Sequence, residues 1–93
     1  MTSPTKSRIL IVDDEEAILE TMTFTFEDEY EVHTAGDARV ALRILETKGT
    51  FAAVITDQRM PGMSGVDFLA RVFERYPMTV RIILNGFADM DAI

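Results

Sequence analysis

The chain has 93 residues, 47% hydrophobic and 27% charged, which is one small domain at most and too apolar for intrinsic disorder. No Cys and a single His exclude a disulfide scaffold, a thiol nucleophile, and Cys-ligated or multi-His metal sites. A net charge of −7 repels nucleic acid and suits a cation or a basic partner face.

The opening Met1 to Ser7 is short and polar, with no hydrophobic region of a secretion signal behind it, and is expected to be a flexible segment. No apolar run approaches the ~20 residues that cross a bilayer, so a cytoplasmic location without membrane contact is expected. Arg8 to Val12 is an unbroken branched apolar run, which predicts a strand buried on both faces of a parallel sheet. It stops abruptly at Asp13-Asp14-Glu15-Glu16. Ile18, Met22 and Phe26 then recur at helical spacing behind an acidic start. Thr23 to Phe26 also alternates like a strand, but the acidic start favours helix.

Tyr30 to Ala35 alternates and is rich in β-formers, predicting a strand at or near an edge. Gly36-Asp37 supplies a turn and a helix N-cap, followed by the stripe Ala38, Ala41, Leu42, Leu45 and a stop at Lys48-Gly49. Phe51 to Thr56 is the next buried strand and ends in Asp57. Gln58 to Gly62 reads as a loop turning at Pro61-Gly62. Ser64, with Asp67 three residues on, caps a helix carrying Leu69, Val72, Phe73 and Tyr76, and Pro77 follows its end. Val80 to Leu84 is a fourth apolar strand, Asn85 to Ala88 a loop, and Asp89 the cap of a further helix.

Strands and helices alternate, so right-handed crossovers give a parallel sheet with helices on both faces. Ligands of such sheets bind beyond the carboxyl ends of the strands. Asp13, Asp14 and Asp57 all stand at such ends. In the flavodoxin-like strand order 2-1-3-4 the first and third strands are neighbours about 5 Å apart, which brings the three acids together. Like charges so close raise a pKa unless a cation lies between them, and Mg2+ is the hard divalent ion that takes few carboxylates and keeps its waters. A carboxylate beside such an ion can attack phosphorus.

Each motif alone has a plainer reading. Asp13-Asp14 could simply cap a helix, and Asp57 could form a turn; it is the pair at two buried strand ends that points to a site. His33 reads as a half-exposed strand residue with no catalytic role, Met60 and Met63 as loop packing, and Glu27-Asp28-Glu29 as a solvated helix end.

Ile9-Leu-Ile-Val-Asp-Asp-Glu-Glu16, Val54-Ile-Thr-Asp57 and Gln58-Arg-Met-Pro-Gly-Met-Ser-Gly-Val-Asp-Phe-Leu69 together closely resemble the receiver domain of two-component response regulators. The likeness runs from Arg8 to the last residue, so 8–93 is expected to be the receiver and 1–7 the leading segment. It implies a CheY-like three-layer α/β/α sandwich with strand order 2-1-3-4. Asp57 would then be the phosphoacceptor for the phosphohistidine of a sensor histidine kinase. Asp14 would ligate Mg2+ directly, Asp13 largely through water, and Arg59 through its backbone C=O. Pro61 and Gly65 would shape the loop and open the third helix, and Gly86 would offer its backbone N–H to the phosphoryl oxygens. The module would signal rather than catalyse, beyond its own phosphorylation and dephosphorylation, and would control an output domain of its own protein.

Two departures from the family stand out. Asn85 occupies the position of the Thr or Ser that couples phosphorylation to the switch. The Lys-bearing fifth strand and fifth helix are not matched, so the domain is expected to be C-terminally truncated, leaving Val80 to Leu84 as an edge that invites a homodimer. The Asp57 to Met63 wording and Gly86-Phe-Ala-Asp89 are similar to receivers fused to AAA+ enhancer-binding (NtrC-type) activators or to cyclic-nucleotide phosphodiesterases. The main rival is a receiver-like interaction module that works unphosphorylated. A haloacid-dehalogenase-type phosphohydrolase would need Asp-x-Asp after the first strand, where Asp13 is followed by Asp14-Glu15, and a flavodoxin would need a Gly, Ser and Thr phosphate cradle there.

Overall fold

Strand β1 (Ser7–Val12) lies inside the sheet and is buried from Ile9 to Val12, as its unbroken apolar run requires. It pairs in parallel with β2 (Tyr30–Ala35) on one side and β3 (Ala53–Asp57) on the other, and β4 (Val80–Leu84) joins β3. The order is β2-β1-β3-β4, as expected, with β2 at an edge. This is a computed structural model that describes residues 5–84, so the expectations on Asn85, Gly86, a helix opening at Asp89 and the first four residues lie outside the described residues.

Alternation along the strands sorts two cores. Leu10, Val12 and Val54 point to one face and meet Ala38, Ala41 and Leu45 of α2 (Ala38–Lys48) and Phe68, Leu69 and Val72 of α3 (Gly65–Arg75). Ile9, Ile11 and Ile55 point to the other face and meet Leu19, Met22 and Phe26 of α1 (Glu16–Phe26). The three-layer sandwich is thus present, with the larger core on the α2/α3 side.

Asp37 and Ser64 are the expected caps: Val40 N–H donates to Asp37 Oδ1 at 2.8 Å, and Asp67 N–H to Ser64 Oγ at 3.2 Å. Several expectations shift. The inward stripe of α1 begins at Leu19, and Ile18 is exposed; in a helix this apolar, more than one spacing fits. In α3 Leu69 and Val72 are buried as expected, but the buried aromatic is Phe68, whereas Phe73 is 50% exposed beneath the Arg81 guanidinium, 4.4 Å from its ring centre. Tyr76 is the C-cap rather than a helical residue. Strand β3 opens at Ala53, two residues later than expected. Phe51 is buried ahead of it, edge-on to His33, with its carbonyl held by the Thr79 hydroxyl at 2.9 Å. Among the described residues no helix is long and apolar enough to cross a membrane.

Candidate functional site

The pairing of β1 with β3 runs through Val12 and Thr56, so the residues that follow them, Asp13 and Asp57, emerge side by side at the carboxyl end of the sheet. Asp14 is the next residue on the same turn. One carboxylate oxygen from each of Asp13, Asp14 and Asp57 lies within 4.8 Å of the others. The three acids that the sequence placed at strand ends are therefore one cluster.

Their environments differ. Asp13 is buried, Asp57 half-buried and Asp14 exposed. The backbone of Asp13 is fixed by its N–H on Ala35 O at 3.1 Å, and its Oδ1 accepts the Glu15 N–H at 2.8 Å. It therefore closes the turn before α1, while the N-cap residue Glu15 makes no side-chain cap. Neither Asp13 nor Asp14 is the N-cap of α1, so the plain capping reading does not hold; Asp13 fixes the turn that leads into the helix. Burial pushes the Asp13 carboxyl above its ordinary pKa; the Glu15 N–H opposes this, and the charges of Asp57, Asp14 and Glu15 push further upward. An all-oxygen set of this charge and spacing fits a hard divalent cation.

Asp57 is held from below. Thr56 is fully buried and its hydroxyl donates to Asp57 O at 2.9 Å, with Met60 Sδ 3.8 Å away. Gly65 N–H donates to Gln58 O at 3.0 Å, and a Cβ on Gly65 would collide with the Asp57 carbonyl oxygen. This close approach is the physical reason for glycine at the start of α3. Gln58 also reaches along the loop: its Oε1 accepts the Val66 N–H at 2.9 Å.

Arg59 is exposed in the loop two residues after Asp57, and Pro61 is exposed at the turn. Met60 and Met63 pack on the α2/α3 core, as expected of loop packing. His33 turns away from the acids to Glu31, Nε2 to Oε2 2.6 Å. Thr56 and Gln58 were not foreseen. A polar residue inside a buried strand was a usable signal for Thr56; the Gln58 to Val66 bond spans eight residues and follows no periodic pattern.

Known proteins agree with this geometry. The family model for the response regulator receiver domain matches residues 9–93. The hydrogenase transcriptional regulatory protein HoxA of Cupriavidus necator is 37% identical over 91 residues, covering 98% of this chain and 19% of that protein. The alginate biosynthesis transcriptional regulatory protein AlgB of Pseudomonas aeruginosa is 36% identical over 91 residues, covering 97% of this chain and 20% of that protein. The chain thus spans about a fifth of the length of these curated relatives. Among solved structures, the signal receiver domain of an HD domain-containing protein from Pseudomonas fluorescens Pf-5 superposes with a TM-score of 0.84 at 36% identity, covering 92% of this chain and 69% of that one. The response regulator TrrA of Thermotoga maritima, solved in complex with Mg2+ and BeF, gives a TM-score of 0.80 at 31% identity, covering 92% of this chain and 75% of that one. A family match across nearly the whole length, on a parallel sheet with clustered strand-end acids, means that this chain belongs to the response regulator receiver domain family.

Proposed function

We propose that Asp57 accepts a phosphoryl group from the phosphohistidine of a sensor histidine kinase, and that the acyl phosphate shifts a conformational equilibrium governing an attached output. The single observation that carries this reading is the convergence of the Asp13, Asp14 and Asp57 carboxylate oxygens within 4.8 Å. Asp13, Asp14, Asp57 and the backbone C=O of Arg59 would hold Mg2+, which when bound offsets the charge that develops during transfer. Asp57 is the best placed nucleophile. One oxygen of Asp13 is already committed to the Glu15 N–H, and Asp14 is exposed, whereas Asp57 ends a paired strand and is half-buried. An Asp57 oxygen forms the new bond to phosphorus as the bond to the histidine nitrogen breaks.

Residues 8–93 would be the receiver of a larger cytoplasmic protein whose output, as in HoxA and AlgB, regulates transcription. Gly86 would give its backbone N–H to the phosphoryl oxygens, and Asn85 would stand at the switch position. Acetyl phosphate with Mg2+ should leave one hydroxylamine-labile phosphate, and Asp57→Asn should abolish it. Asn85, in place of Thr or Ser, favours a second reading, an interaction module that works unphosphorylated. Partner binding unchanged by Asp57→Asn would support that reading over the first.

A further inference from the structure

We infer that Gln58 is a positioning residue of the acid site, clamping the peptide between Asp57 and Arg59 onto the first turn of α3; this rests on the metal-site reading above. Gln58 lies between two of the proposed ligands, the Asp57 carboxylate and the Arg59 carbonyl. It makes two bonds to α3, one from Gly65 N–H to its backbone oxygen at 3.0 Å and one from Val66 N–H to its Oε1 at 2.9 Å. The next two amides of the helix, those of Asp67 and Phe68, go to Ser64 Oγ and Ser64 O. Gln58 therefore takes the first two of the donors that a helix leaves unpaired at its start.

The element it grips is well anchored. Phe68, Leu69 and Val72 anchor α3 in the larger core, and Gly65 abuts the Asp57 carbonyl. The side-chain bond adds a second tie between this loop and α3 beside the backbone bond, and so restrains the rotation of the loop as it leaves β3. The expected consequence is a preorganised metal site whose affinity depends on an acceptor at position 58.

The test is calorimetric Mg2+ titration of the full chain, with thermal melting as a check on folding. Gln58→Met keeps the length and removes the acceptor; it should raise the Mg2+ half-saturation about threefold to tenfold, the worth of one hydrogen bond. The maximal rate of acetyl phosphate labelling at saturating Mg2+ should change less than twofold. Gln58→Glu keeps the acceptor and should bind at least as tightly as the unsubstituted chain. If Gln58→Met binds Mg2+ like the unsubstituted chain, or Gln58→Glu loses as much as Gln58→Met, the clamp is overturned. Should Gln58→Met melt below the assay temperature, Gln58→Asn, one methylene too short to span the gap, carries the same expectation. An unsubstituted chain that binds no Mg2+ overturns the metal-site reading itself, a result distinct from unaltered binding by the variant.

Discussion

The two ends of β1 handle charge in opposite ways. At its start, Arg8 lies across from Glu31 of β2, Nε to Oε2 2.7 Å, and the same Glu31 oxygen meets His33 Nε2 at 2.6 Å. The Arg8 guanidinium also donates to Lys48 O and stacks on the Phe51 ring at 5.6 Å. Hydrogen bonds from His33 and then Arg8 hold the Glu31 carboxyl below its ordinary pKa. At the far end three acids crowd together and Asp13 is pushed the other way, first by burial. One end is closed and self-satisfied; the other is left with an appetite for a cation. A strand this well buried can tolerate the second arrangement because the sheet, not the charges, holds the ends in place.

The comparison is broken most strongly at Gly65. Gly65→Ala should cost about 2–3 kcal/mol in urea unfolding, because its Cβ meets the Asp57 backbone carbonyl, which cannot yield as a flexible side chain could. A loss below about 0.5 kcal/mol would show that α3 simply slides away from β3.

Asp13→Asn should act in the opposite direction. It keeps an oxygen for the Glu15 N–H and removes one of the crowded charges, so the metal-free chain should gain on the order of 1 kcal/mol at neutral pH. The same variant should lose the rise in Tm that excess Mg2+ gives the unsubstituted chain. Asp13 favours its protonated form on folding, so its contribution to stability is full at low pH and is lost as pH rises through its folded-state pKa. Metal-free melting should therefore show this loss in the unsubstituted chain and not in Asp13→Asn.

Glu31→Gln should have the smallest effect, because exposed ion pairs are weak and screened by salt. Its sign is the reverse of that at Asp13. Glu31 is lowered, so the stability it gives is present at neutral pH and lost as pH falls through its folded-state pKa. Acid titration of Tm in low salt should lose this component in Glu31→Gln and keep it in the unsubstituted chain.

The strands and the acids at their ends were legible in the sequence because both rest on strong signals: apolar runs for strands, and acids placed where those runs stop; the order of the strands came from the flavodoxin-like pattern and the resemblance to receivers. The helix faces were less so. Ile18, Leu19, Met22, Phe24 and Phe26 are all apolar, and only the position of the sheet decides that Leu19 turns inward while Phe24 is 81% exposed. The supports beneath Asp57 were hidden for another reason. A hydroxyl on its neighbour's carbonyl, a missing methyl and an amide reaching across a loop are matters of ångström-scale fit, to which residue patterns are blind.

Gly65 N–H on Gln58 O also makes the intervening stretch a ring fastened at its neck. Length added at the exposed tip of such a ring costs little entropy. The exposed Pro61–Gly62 corner, where Gly62 has φ of 86°, is accordingly a splice point: a tag or reporter peptide grafted there would ride on the molecule while the acids below keep their spacing.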